Sequence, residues 1–133
     1  MRISNEVRYG IEMKLTDETQ RGINFIRGYA PGELRIGEDV VRTSCIVTAD
    51  RVQEWAPQSA AAITLADLQP VLDIAPEIIV LGTGERQQFP DAALMGAILS
   101  RGIGCEVMST GAACRTYNVL VSEDRKVAAV LML

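Results

Sequence analysis

The first half of the chain alternates apolar and polar residues with a period of two. The second half alternates short apolar runs with helical spacings. Tyr9, Ile11, Met13 and Leu15 fall on one side of an extended segment from Tyr9 to Leu15, as side chains repeating every second residue do on a strand. Gly22 to Tyr29 repeats the pattern, with Ile23, Phe25, Arg27 and Tyr29 on one face and Asn24, Ile26 and Gly28 on the other. Pro31-Gly32 and Gly37-Glu38-Asp39 are turn signals, and Glu33 to Ile36 between them is long enough for a short strand. Val40 to Thr48, rich in β-branched residues, predicts one further strand. Trp55 stands in a short irregular segment ending at Pro57 and is expected to lie as a lid on the core.

Thr64 to Leu68 has the form of a helix start, with Thr64 as N-cap and Asp67 where a capping-box acid belongs. Pro70 must then fall in the first turns or kink the helix. Glu77 to Leu81 is an apolar run suited to a strand buried on both faces. Pro90 to Arg101 predicts a helix with Leu94, Ala97 and Ile98 inward, bounded by Pro90 and by Gly102 just past its end. Ile103 to Met108 predicts a strand and Thr110 to Ser122 a helix with Ala113, Tyr117, Leu120 and Val121 on one face. Lys126 to Leu131 predicts the final strand. Strand–helix–strand–helix–strand from Glu77 onward implies right-handed crossovers and a partly parallel sheet. The expectation is one mixed α and β domain over 1–133, with β-hairpin material packed on an α/β layer and about three helices.

Size and composition agree with that reading. A chain of 133 residues with 48% hydrophobic and 23% charged residues buries enough surface to fold without a disulfide or metal staple. Its net charge of −4 weakens any case for nucleic-acid binding, which depends on clustered Lys and Arg. The absence of histidine excludes Ser-His-Asp and Cys-His sites within one chain, and with them His-containing zinc sites. Cys45, Cys105 and Cys114 are odd in number and lack CxxC spacing, so they read as reduced, mostly buried thiols of a cytosolic protein. The N-terminal residues carry no apolar signal-peptide core, and no apolar window reaches membrane-spanning length. Cytoplasmic location without membrane insertion is the expectation.

Two strand-to-helix junctions carry the candidate chemistry. In the first, Gly82, Gly84 and Arg86 form a GxG turn whose N–H groups and guanidinium suit an anion. It lacks a dinucleotide fingerprint, since Gln87 stands where a third glycine would be, and it lacks the Lys-Ser/Thr of a P-loop. A structural turn is the competing interpretation. In the second, Thr110 is placed as helix cap, while Arg115 and Asn118 share a face at i and i+3. Here the competing interpretation is that Arg115 pairs with an acid and Asn118 satisfies backbone groups at a turn. Ser109, Thr110 and Cys114 are candidate nucleophiles, but each needs a base, and Lys14 and Lys126 lie on other predicted segments. No catalytic set, metal site or cofactor site is assembled, so binding is favoured over catalysis. Tyr9, Tyr29 and Trp55 are candidates for apolar surface in a homo-oligomer.

The run from Leu81 to Leu131 resembles a known family. Its marks are Leu81-Gly82-Thr83-Gly84, Phe89-Pro90, Gly102-Ile103, Glu106-Val107-Met108-Ser109-Thr110, the segment Ala113 to Leu120, and Glu123 to Ala129. Arg27-Gly28-Tyr29 and Trp55 fit more loosely. The family is the small bacterial and archaeal domain-of-unknown-function family that includes mitochondrial complex I assembly factor 3. The resemblance implies a three-layer α+β fold with a β-hammerhead-like element. It also implies a non-enzymatic role, through protein contacts, in assembling NADH:ubiquinone oxidoreductase, with complex I subunits or assembly factors as partners. Without a mitochondrial leader or tails, the chain is expected to be a bacterial single-domain member. The residue-level alternative is a small-molecule or anion binder, or a cryptic enzyme, using Gly82, Gly84, Arg86, Thr110, Arg115 and Asn118.

Overall fold

Two sheets and three helices stack in layers in the computed structural model, which describes residues 22–133. The strand expected over Tyr9–Leu15 lies outside the described residues. A three-stranded antiparallel sheet comprises β1 (Ile26–Ala30), β2 (Glu33–Ile36) and β3 (Asp39–Val41) in that order. The five-stranded sheet has the order β5-β4-β8-β6-β7, from β4 (Cys45–Thr48), β5 (Arg51–Glu54), β6 (Ile78–Thr83), β7 (Gly104–Met108) and β8 (Val127–Met132). Strand β6 pairs in parallel with both β7 and β8, while β4 pairs antiparallel with β8 and β5. The helices are α1 (Leu65–Ile74), α2 (Ala92–Leu99) and α3 (Thr110–Ser122), with a 3-10 turn at Ala60–Ala62.

Because β6 and β8 are buried on both sides, alternate residues feed two different cores. Val127, Ala129 and Leu131 of β8 join Cys45, Val47 and Val80 beneath α3 and the three-stranded sheet, with Tyr117 at the centre. Ala128, Val130 and Met132 point the other way, with Ile46, Ile79 and Leu81, against α1, α2 and Trp55. Helix α2, which links β6 to β7, therefore lies on one face, and α3, which links β7 to β8, lies on the other. The mixed three-layer α+β arrangement, with three helices among the described residues, is thus observed. The order of the layers is three-stranded sheet with α3, five-stranded sheet, then α1 with α2.

Local chemistry explains the boundaries. Thr64 Oγ1 accepts from the Asp67 N–H at 3.2 Å and Asp67 Oδ2 accepts from the Thr64 N–H at 2.8 Å, completing the expected capping box of α1. Pro70 is accommodated in the second turn, and the helix ends at Ala75 in a left-handed conformation ahead of Pro76. Trp55 is buried as a lid, its indole Nε1 donating to the Asp67 carbonyl at 2.7 Å.

Several expectations are corrected. Val40 to Thr48 is two strands, because the chain leaves the small sheet at Val41 and joins the large one at Cys45. Strand β5, with its charged and largely exposed edge, gave no alternating apolar signal. The alternation expected from Gly22 to Tyr29 is interrupted, since β1 starts at Ile26 and its register shifts between Ile26 and Gly28. The helix expected over Pro90–Arg101 is confined to Ala92–Leu99, with Asp91 at its N-cap. The cap of α3 is Ser109, whose hydroxyl accepts from the Ala112 N–H at 3.4 Å, and Thr110 is the first helical residue.

Candidate functional site

In open α/β sheets the crevice for a ligand forms at the carboxyl ends of neighbouring strands whose connections leave to opposite faces. Strands β6 and β7 meet that condition here, so the two predicted junctions converge on one point. They are joined directly. The Thr110 N–H donates to the Gly84 carbonyl and the Gly84 N–H donates to Thr110 Oγ1, both at 2.7 Å. Thr110 Oγ1 in turn donates to the Met132 carbonyl at the end of β8, at 2.6 Å. Thr110 is fully buried. Its hydroxyl closes the crevice by linking β6, β8 and α3.

The two glycines are needed for different reasons. A Cβ on Gly82 would stand 2.9 Å from Thr110 Cα and 3.0 Å from Ala113 Cβ, so its hydrogen lets α3 approach the sheet. Gly84 has open space around it but a φ of +98°, a backbone that side-chain-bearing residues rarely adopt. Thr83 then fixes the loop beyond: its hydroxyl donates to the Arg86 carbonyl at 2.6 Å and accepts from the Gln88 N–H at 2.9 Å. Arg86 enters this network through its backbone, and its side chain is exposed.

The remaining pair lies further along α3. Arg115 is exposed beside Gly111, where Tyr29 also packs: a Cβ on Gly111 would be 3.5 Å from the tyrosine ring and 3.8 Å from an Arg115 guanidinium nitrogen. Asn118 is buried and faces β1 rather than the loop. Its Oδ1 accepts from the Ile26 N–H at 2.9 Å and its Nδ2 donates to the Ile26 carbonyl at 2.8 Å. It satisfies backbone groups on a strand. Of the six candidates, Gly82, Gly84 and Thr110 meet at one point, Asn118 serves the small sheet, and Arg86 and Arg115 present charge to solvent.

Cys114, the thiol among the candidate nucleophiles, is unactivated, and so are the other two cysteines. Burial pushes the Cys114 thiol up to about 12, with a further rise from nearby Cys45, and burial does the same to Cys45. Half-buried Cys105 is pushed up to about 11 by burial and then by the Glu106 charge. All three are protonated thiols at neutral pH, the opposite of a reactive cysteine. Among the described residues no three Cys, Asp or Glu side chains gather as a metal site, and no helix is long and apolar enough to cross a membrane.

Two surface features escaped the sequence reading. An open cleft of about 810 Å³ lies where the two sheets diverge, lined among others by Arg42, Ser44, Glu54, Trp55 and Gln58. Its residues come from four separate segments, so no local motif announces it. The second is an apolar surface formed by α2 and the loop before it, with Phe89 66% and Leu99 56% exposed. An uninterrupted apolar run from Ala92 to Leu99 was the available signal, since a helix apolar all round buries more than one face. Trp55 is buried and so does not supply the apolar partner surface expected of it, Tyr29 is half-buried, and Tyr9 lies outside the described residues.

Comparison with known proteins is consistent over most of the chain. It is 32% identical over 124 residues to the "13 kDa major membrane protein" of Francisella tularensis, covering 90% of this chain and 99% of that protein. It is 34% identical over 110 residues to NADH dehydrogenase [ubiquinone] 1 alpha subcomplex assembly factor 3 of Xenopus tropicalis, covering 81% of this chain. The chain spans 60% of that assembly factor's length. A crystal structure of a Bordetella parapertussis protein superposes with a TM-score of 0.78 at 32% identity, covering 83% of this chain and 95% of that one. The sequence pattern described as "Protein of unknown function (DUF498/DUF598)" matches residues 26–132. The chain therefore belongs to the DUF498/DUF598 family, whose members include complex I assembly factor 3 and small bacterial proteins.

Proposed function

We propose that this protein is a non-enzymatic accessory factor that works through protein contacts in the assembly of respiratory complex I. The observation that carries the reading is the 34% identity to an assembly factor across 81% of this chain. The use of polar groups at the β6–β7 crevice supports it. Thr110 and Asn118 spend their hydrogen-bonding groups on backbone partners inside the protein, and the thiols near them, among the described residues, are held protonated by burial. What the junctions leave for recognition is charge at the surface, from Arg86 and Arg115. We assign these two side chains to the partner-contacting surface, with complex I subunits or other assembly proteins as partners and the cytoplasm as the place of action. Capture of partners at native abundance tests this: complex I components should be recovered with the wild-type chain and reduced with Arg86→Glu/Arg115→Glu. Recovery of the chain alone contradicts it.

A second reading, an anion or small-molecule site at the same junctions, is favoured by their convergence on Gly84 and Thr110. It predicts a concentration-dependent rise in melting temperature with phosphates, nucleotides or carboxylates. No shift at saturating concentrations removes it.

A further inference from the structure

Two outer strands of the fold have side-chain amides on their edges. Asn118 takes both backbone groups of Ile26 in β1, and Gln87 Nε2 donates to the Val107 carbonyl of β7 at 2.9 Å. Strand β5, the other outer strand of the five-stranded sheet, carries no such cover among the described residues. Its backbone direction follows from its pairing with β4. The Trp55 N–H donates to the Ser44 carbonyl at 2.9 Å, so Trp55 turns its backbone groups toward β4. Alternation along an antiparallel strand turns Gln53 the same way and leaves the N–H and C=O of Val52 and Glu54 pointing outward. Both residues are exposed, Val52 by 43%, although their partners Val47 and Cys45 are wholly buried. An open edge of this kind is a template to which an extended chain adds a strand.

The side chains along that edge define the occupant. Arg51 and Glu54 are exposed, and neither makes an ion pair among the described residues. The apolar Val52 lies between them. Cross-strand neighbours are favourable when opposite charges face each other and apolar groups meet. An antiparallel segment that matches this edge therefore reads, from its N-terminus, basic opposite Glu54, any residue opposite Gln53, apolar opposite Val52 and acidic opposite Arg51. Its preceding residues run on past Trp55 into the cleft of about 810 Å³, where Arg42 and Gln58 stand. A second copy of this chain lacks the complement. Arg51 and Glu54 turn their backbone groups to opposite sides, so no antiparallel register of two copies sets one directly across from the other. Glu54 then meets Asp50, Val52 or Glu54 of the other copy, and no cation.

We propose that β5 is a docking edge for an extended segment of a partner protein, added antiparallel with the pattern basic, any, apolar, acidic. This rests on the reading of the chain as a protein-binding factor, but not on complex I as the partner or on Arg86 and Arg115.

Amide-resolved NMR of the isotopically labelled full chain tests it, with a capped peptide in which lysine, threonine, valine and glutamate stand in succession between terminal threonines. The Val52 and Glu54 amides should shift and exchange more slowly, while Gln53, already bonded to β4, changes least. Half-saturation is expected below about 1 mM. N-methylation of the peptide valine removes a donor to β5, leaves the protein untouched and should abolish binding. Glu54→Lys should weaken binding at least about tenfold, and a peptide with glutamate in place of its lysine should recover the loss. Val52 and Glu54 amides unchanged at about 5 mM peptide, an N-methylated peptide that binds as well, or a charge reversal that fails to recover overturns the proposal. Those outcomes leave the complex I reading standing, since partner capture tests it separately. Peptide binding at β5 with capture of the chain alone refutes that reading and keeps this one.

Discussion

Asn118 holds Ile26 by both atoms of its amide, accepting from the backbone N–H at 2.9 Å and donating to the carbonyl at 2.8 Å across 92 positions of sequence. The side chain imitates a neighbouring strand, and so ties α3 to the small sheet. Tyr117 reinforces the link from the adjacent position, its hydroxyl donating to the Asn24 carbonyl at 2.8 Å. Asn118→Leu should leave the buried Ile26 groups unpaired and destabilise the protein by about 2–5 kcal/mol in denaturant melts. Amide exchange should rise first in β1 to β3.

Asn118→Asp separates the two bonds. Its carboxylate still accepts from the Ile26 N–H but faces the Ile26 carbonyl with a second acceptor. Ionisation is thereby disfavoured in the native state, which raises the folded pKa above the unfolded value of about 3.9. The variant should come closest to wild-type stability below that pH and lose ground as pH rises through the folded pKa. A gap between variant and wild type that does not change with pH would contradict this geometry.

The β6–β7 closure makes its own prediction. Thr110→Val keeps the volume of the side chain but orphans the Gly84 N–H and the Met132 carbonyl, a loss of about 2–4 kcal/mol. Gly82→Ala must push α3 off the sheet, since the new carbon would lie 2.9 Å from Thr110 Cα; a loss of about 1–3 kcal/mol is expected. Thr110→Ser, which retains the hydroxyl, should be the mildest of the three. Equal losses for Ser and Val at position 110 would show that the hydroxyl does not lock the crevice.

Much of this arrangement was legible in the residues and some was not. The apolar run at β6, the capping box at Thr64 and Asp67, and the 13 residues of α3 were readable because each is fixed by its own local pattern. The break between β3 and β4 was not, because β-branched residues suit either sheet and only tertiary pairing separates them. Thr110 looked like a cap because a threonine at a helix start ordinarily is one. The distant partner that claims its hydroxyl, Met132, comes from β8 and leaves no local trace. That Asn118 satisfies backbone groups is legible; that those groups are on Ile26 in β1, and not at a turn, is not, because the partner is 92 positions away.

The three thiols give a prediction at alkaline pH. Unfolded, each ionises near 9.0; native Cys45 and Cys114 resist until about 12 and Cys105 until about 11. Between those limits the unfolded state binds fewer protons than the native state, so stability should fall as pH rises above about 9. At pH 8 a thiol reagent should label the unfolded chain at three positions and the native chain slowly, Cys105 first. Rapid native labelling of Cys114 would contradict its burial.

Glu77 acts at the acidic end. The side-chain hydrogen bond from Arg125 Nε at 2.8 Å, followed by the Lys126 N–H, holds its carboxyl below the ordinary value of 4.5. A depressed folded pKa stabilises above the unfolded value and loses that contribution as pH falls through the folded one. The pair is exposed, so the effect is small. Glu77→Gln should flatten the stability profile below about pH 4.5 and leave its alkaline side unchanged.

The most direct test of the proposed function is the amount of assembled complex I in a strain of the source organism that lacks this chain. NADH:ubiquinone oxidoreductase activity and intact complex on native gels should both fall, with partly assembled subcomplexes accumulating. The wild-type chain should restore both, and Arg86→Glu/Arg115→Glu should restore them less well at equal abundance. Normal complex I content and activity in the deletion strain would contradict the account.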